Sequence, residues 1–306
     1  MKHEFNNRRL RVSSSVIWMG VATVLFGLWG CGNSESDRET PISPSLTGSQ
    51  VEKAEQTNTA ETPQPSQPTA NSESGSTVEV GTFSGVITYD GPIPELPLIV
   101  KRGDIKAKDA AVCAAHDVPD ESLLVNSAAG NGVANVFVYL RKAPKGTKSP
   151  VPDGPVVMDQ KDCIFLPHAM LVRVGQTVLV KSDDAVSHNV HTFPLRNTGL
   201  NSLVAPNDRV GLKLIYQRSE PIPLQVTCDV HTWMRSYHLV LDHPFMAVTD
   251  SEGRFEIKDL PVGKHKFRIW HERAAFLERH YEVEIKAGET KEISLTCLAE
   301  KFAVGR

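Results

Sequence analysis

From Gly81 onward the hydrophobic positions fall in short runs broken by Gly, Pro and Asp, as in "FSGVITYDG", "ANVFVYL", "AMLVRVGQTVLVKSDD", "LKLIY", "PLQVTC", "YHLVLD", "GRFEIKDLP", "KHKFRIWHE" and "HYEVEIKAGETKEISLTC". Runs of this length, rich in β-branched and aromatic residues and bounded by turn formers, read as strands. Apolar and polar residues alternate in "GRFEIKDL" and "YEVEIKAG", the pattern of a sheet with one wet face. No long stretch repeats every 3.6 residues, so helical turns are expected only around Ile105–Ala115 and near Glu272–Leu277. The pattern predicts an all-β protein built as two sandwiches or barrels.

Upstream the chain is a different polymer. Residues 31–80 are rich in Ser, Thr, Pro and Gln and almost free of aliphatic side chains. Such a composition cannot bury enough apolar surface to offset chain entropy, and a disordered tether is expected there. The tether holds eight acids against two bases, and residues 1–30 hold four bases and one acid. With −3 for the whole chain, the part from residue 81 on is close to neutral. A neutral folded region gives no support for nucleic-acid binding.

Arg8, Arg9 and Arg11 precede an uncharged apolar run of fourteen residues, Val16–Trp29. That is short for a membrane-spanning helix and suits the apolar core of an export signal. The run ends in "LWGC", Leu28–Cys31, which resembles the lipobox of bacterial lipoproteins, with Trp29 standing where that motif usually has a small residue. The resemblance implies a leader over 1–30, lipidation of Cys31 and anchoring to the membrane of the bacterial cell envelope, facing the periplasm or cell surface. An ordinary signal peptide or a short anchor is the alternative. About 226 residues remain to fold, enough for two small domains.

Candidate chemistry concentrates in "CDVHTWM", Cys228–Met234. A tight loop of this spacing can point the Cys228 thiol and the His231 imidazole to one side, with the Met234 thioether a step further round. A second imidazole from a distant loop would complete a set of two His, one Cys and a weak axial Met, which is the type 1 copper arrangement. Zinc seldom takes Met. Cys228 as a disulfide partner and Met234 as a core filler are the plainer readings. The other histidine-bearing segment of note is "SHNVHT", Ser187–Thr192.

Together, "VVMDQKDCIFLPHAMLVRVGQTVLVKSDDAVSHNVHTF" and "CDVHTWMRSYHLVLD" resemble the cupredoxins, most of all the amicyanin and plastocyanin type, over a domain at 150–243. The resemblance implies a Greek-key β-sandwich with one type 1 copper site ligated by His188, Cys228, His231 and Met234. It implies that Asn189 bonds across to the cysteine loop, and that His231 lies at an apolar surface as the electron port. Val230 stands where a Pro commonly precedes the second histidine, and Asp229 sets a carboxylate beside the thiolate. His191, three residues beyond His188, is given no metal role, and Trp233 is read as an aromatic packed near the copper.

A second resemblance lies outside this segment. "GVITYDG", "NVFVYL" and "VTDSEGRFEIKDLPVGKHKFRIWHE" are similar to the carboxypeptidase regulatory-like, transthyretin-type sandwich, most specifically over Thr249–Gly263. In that family the early strands lead directly into the Thr-Asp turn, whereas here about a hundred residues separate Leu140 from Thr249. The expectation is a copper domain inserted between two parts of that sandwich, 81–149 and 244–306, with simple tandem order as the alternative. The combination resembles bacterial exported proteins labelled methylamine-utilisation-like.

The implied function is an envelope-anchored type 1 copper protein passing single electrons, with a c-type cytochrome or an oxidoreductase as partner. A copper-delivery module, or a structural envelope protein with a degenerate site, are the alternatives. An enzyme is not expected, because the paired His-x-His motifs of copper oxidases do not occur. Of the five cysteines, Cys113 and Cys163 are candidates for a disulfide that would clamp the first segment to the copper domain. With His116 and His168 they could instead form a zinc set, or they could be free thiols. Cys297 reads as a buried small residue, and His265 and His271 as surface groups.

Overall fold

The computed structural model describes residues 78–147 and 149–303, so the leader, Cys31 and the tether up to residue 77 lie outside the described residues. The regular secondary structure of the described residues is nearly all β-strand, arranged in four sheets. Among the described residues no helix is long and apolar enough to cross a membrane.

The first strand, Val80–Asp90, alternates inside and outside along its length, with Phe83 and Ile87 fully buried. It pairs antiparallel with Arg254–Pro261 and parallel with Thr290–Leu298. The facing sheet runs Met246–Val248, Phe137–Leu140, Gly263–His271, Ala275–Ile285. Phe83, Val138, Phe255, Ile257, Phe267, Ile269 and Val283 meet in the core between these two sheets. Strands that precede residue 150 and strands that follow residue 243 therefore share both sheets.

The "TDSEG" segment forms the turn that joins this sandwich. The Asp250 carboxylate accepts the backbone N–H groups of Glu252 and Arg254, and Gly253 takes φ 77, a left-handed value that Gly adopts without strain. Gly132 packs so closely on this turn that a Cβ would stand 2.0 Å from the Glu252 carbonyl oxygen.

Residues 156–241 make the other pair of sheets. One runs Asn201–Val204, His188–Phe193, Leu224–Thr227, Arg235–Leu241, Ala169–Arg173; the other runs Leu212–Ile215, Thr177–Val180, Val156–Lys161, Ile164–Leu166. Met158, Phe165, Val172, Val178, Val190, Val226 and Val240 fill the space between them.

A third apolar layer joins the two sandwiches. Tyr139, Phe137, Met246 and Trp270 from one meet Leu239 and Leu241 from the other. This explains two runs that do not alternate. All four residues of Phe137–Leu140 are buried, as are the last four of Arg235–Leu241, because each strand has protein on both faces.

One expectation from the sequence needs correction. Near Glu272–Leu277 there is no helix. Residues 272–274 are a hairpin turn, Ala275 takes φ 53, and the chain continues as the strand Ala275–Ile285. Helix-favouring Glu, Arg and Ala are overridden there by antiparallel pairing with Gly263–His271. The helical turn expected around Ile105–Ala115 is present as Ala110–Cys113, and a further short helix, Ala299–Ala303, follows the last strand.

Candidate metal centre

The sheet that carries His188–Phe193 and Leu224–Thr227 side by side brings the two histidine-bearing segments together. Just beyond Thr227 the chain turns through Cys228–Met234 and returns as Arg235–Leu241. The loop is closed by its own backbone, with the Cys228 N–H on the Met234 carbonyl at 3.3 Å and the Met234 N–H on the His231 carbonyl at 2.9 Å. His188, Cys228, His231 and Met234 are all buried, the two histidines completely.

The donor atoms converge. His188 Nδ1 lies 2.9 Å from His231 Nδ1, and Cys228 Sγ lies 3.8 Å from His231 Nδ1. The ring orientations are fixed from behind. His188 Nε2 is 2.8 Å from Asp184 Oδ2, and His231 Nε2 is 2.9 Å from Asp109 Oδ2. A carboxylate only accepts, so both Nε2 atoms are donors. Two neutral imidazoles held in that tautomer would aim Nδ1 lone pairs at each other across 2.9 Å, which is repulsive unless a proton or a metal cation lies with them. Met234 is buried in the same apolar cluster as Cys228.

The thiol is prepared for ligation. Burial would raise its pKa, but the His188 and His231 imidazoles beside it and the backbone N–H groups of Asn189 and His231 outweigh that and hold it below the ordinary value. The thiolate is the form that binds a metal. For His188, burial favours the neutral ring, and the Asp184 and Cys228 partners more than reverse it, so its pKa is raised.

Asn189 ties the first histidine's strand to the loop. Its Oδ1 accepts the Asp229 N–H at 2.6 Å, and its Nδ2 donates to Asp229 Oδ2 at 3.1 Å. Asp229 is not an uncompensated charge beside the thiol, since Asn201 Nδ2 and His191 Nδ1 also reach its carboxylate. These partners hold its pKa below the usual carboxylate range, with His191 the leading cause.

The structure departs from the sequence reading at His231 and His271. His231 is not at a surface. The segment 99–118 covers it, and Asp109, from outside the region resembling cupredoxins, occupies its outer nitrogen. Of the alternatives open for Cys113 and Cys163, the structure has the disulfide. The zinc set with His116 and His168 is not assembled, because His116 is exposed against Asp162 and His168 lies elsewhere, hydrogen-bonded to Glu272 with Glu121 at 3.5 Å. His271 is buried rather than exposed, 1 % accessible. Trp233 packs edge-on to His231 and donates its indole N–H to the Cys163 carbonyl.

Sequence reasoning missed Asp109 and Asp184. Asp184 had a local signal, standing four residues before His188. Asp109 is 122 residues from His231 and had none.

A buried pair of imidazoles and a thiol on an all-β sandwich is the chemistry that emerges from these residues. The chain matches no family model and no curated protein. Among solved structures it is similar to a reduced amicyanin variant, with 23 % identity over 31 % of this chain and 94 % of that one and a TM-score of 0.26. It is similar to a purple cupredoxin from Nitrosopumilus maritimus, with 18 % identity over 28 % and 98 % and a TM-score of 0.24. It also resembles a copper-containing nitrite reductase from Thermus scotoductus, with 16 % identity over 32 % and 24 % and a TM-score of 0.26.

Proposed function

We propose that this chain is a type 1 copper protein that passes single electrons between redox partners at the bacterial cell envelope. The observation that carries the reading is the convergence of His188 Nδ1, His231 Nδ1 and Cys228 Sγ in a fully buried cluster, with both Nε2 atoms already held by carboxylates. Two imidazoles and a thiolate are a set that copper favours, and the Met234 thioether, buried in the same cluster as Cys228, would serve as a further weak donor. Copper held this way would supply one-electron cycling. The protein's part is to exclude water, fix both rings from behind and keep the thiol deprotonated. In this reading the copper domain is inserted between two parts of a second sandwich, which the pairing of strands before residue 150 with strands after residue 243 supports. Anchoring through Cys31 rests on the sequence Leu28–Cys31.

A second reading, copper delivery, is favoured by one observation. His231, the expected electron port, is capped by Asp109 and has no accessible edge. Visible absorption of the copper-loaded protein separates the two. Electron transfer requires an intense thiolate-to-copper charge-transfer band that is lost in Cys228→Ser. A colourless copper-loaded protein would favour delivery, and failure to bind copper would remove both.

A further inference from the structure

The disulfide lies against the candidate centre. Cys113, Cys163 and His231 each place a ligand atom within 4.8 Å of the other two, and all three are buried. His231 belongs equally to the cluster with His188 and Cys228. One imidazole is therefore shared by two soft donor sets. One set has its thiol available, and in the other both sulfurs are committed to each other.

The same residues position both sets. The Asp109 carbonyl accepts the Cys113 N–H at 3.0 Å while its carboxylate holds His231. The Cys163 N–H donates to Asp184 Oδ2 at 3.0 Å, and the same oxygen accepts His188 Nε2. Trp233, from the ligand loop, donates to the Cys163 carbonyl at 3.0 Å. The bonded cysteines are thus embedded in the framework that orients the histidines.

We propose that Cys113, Cys163 and His231 form a second, thiol-dependent Cu(I) site, created when the disulfide is reduced. The inference rests on the copper reading above for the identity of the metal. Reduction is thiol–disulfide exchange with a dithiol. The Cys113–Cys163 sulfur–sulfur bond breaks, two electrons and two protons pass to the cysteines, and the dithiol closes to its own disulfide. When Cu(I) binds, the two cysteine protons leave to solvent. Two thiolates and an imidazole are a soft set suited to Cu(I). Because His231 is common to both sets, reduction gives the ion a second, thiolate-rich berth beside Cys228, and the thiol state of the envelope would decide which set holds it.

The test uses the double variant His188→Ala/Cys228→Ser, which dismantles the first set and leaves the second. Cu(I) is offered anaerobically in competition with a chromophoric chelator, before and after reduction with a phosphine, which brings no thiol of its own. Thiol titration confirms that the disulfide has opened. The expected result is one Cu(I) retained after reduction and none before, with retention lost when Cys113→Ser is added. Equal retention in both states, or none after reduction, overturns the proposal.

Wild-type protein guards against a folding artefact. Reduction should strengthen Cu(I) retention at least tenfold, and the Cys113→Ala/Cys163→Ala variant should show no response to the phosphine. An unchanged wild type overturns the proposal. Copper binding by oxidised wild type tests the first set separately, so the two ideas can fail independently.

Discussion

Asn189 accepts the backbone N–H of Asp229 at 2.6 Å, across 40 residues of sequence, and this bond fastens the strand of one candidate ligand to the loop that carries the others. Asn189 also donates to Asn201 and Asp229 through Nδ2 and is 6 % exposed. Removing the amide takes away these loop-fastening bonds at a position where water can reach the freed Asp229 N–H, a loss of about 0.5–1.5 kcal/mol. Asn189→Ala should lower unfolding stability in urea by that amount. Asn189→Asp should do worse than its near-identical size suggests, because it loses the Nδ2 donors and faces Asp229 with a second carboxylate.

Asp184 supports the site from behind, accepting from Asp162 N–H at 2.7 Å, Cys163 N–H at 3.0 Å and His188 Nε2 at 2.8 Å. A group that orients a metal-binding histidine from behind typically contributes about 10–100-fold in metal affinity. Asp184→Ala should weaken copper binding within that range, measured by chelator competition. Unchanged affinity would mean that packing alone orients His188.

His168 sits where the two sandwiches meet, between Glu272 from the hairpin turn and Glu121 from the preceding loop. Burial alone would lower its pKa, and the two carboxylates outweigh this and raise it to about 9. The folded state therefore binds the His168 proton more tightly than the unfolded chain does. The resulting stabilisation, on the order of 2–3 kcal/mol, is fully present below about pH 6.5 and fades as pH rises through about 9. Urea midpoints measured from pH 6 to pH 9.5 should fall, and His168→Gln should flatten the decline. A midpoint that stays level over this range in wild type would refute the assignment.

Thr249 links the segment after the sandwich of residues 156–241 to the segment before it. Its hydroxyl donates to the Val133 carbonyl at 2.7 Å and accepts the Val136 N–H at 2.9 Å, and it is buried. Thr249→Val keeps the shape and strands both backbone groups. It should lower stability by about 2–4 kcal/mol, whereas Thr249→Ser should recover most of it. Equal stability of the Val and Ser variants would mean that water replaces the hydroxyl.

Much of this architecture is written in local pattern. Arg254–Pro261 alternates in its burial almost as its residues alternate in polarity, and the Thr-Asp turn carries its own geometry in Asp250 and Gly253. The Cys-x-x-His-x-x-Met spacing placed three candidate ligands on one loop before any fold was known. What the pattern could not carry is contact between distant segments. Arg235–Leu241 is packed on both faces because a second sandwich lies behind it, and no feature of "RSYHLVL" specifies which neighbour that is. The cap over His231 depends on Asp109, an acidic residue in a polar stretch like many others in the chain. At Glu272–Leu277 local helix preference pointed the wrong way, since a hairpin between two long strands decides the backbone there.

The parallel partnership of Val80–Asp90 with Thr290–Leu298 has a consequence for biosynthesis. A nascent chain presents the first strand roughly two hundred residues before its partner exists, and closing so long a loop is slow. Every strand of the 156–241 sandwich falls between those two. The inner sandwich can therefore close while the outer one still waits with an unpaired edge, the kind of edge that invites aggregation. The segment translated first among these strands is the one completed last.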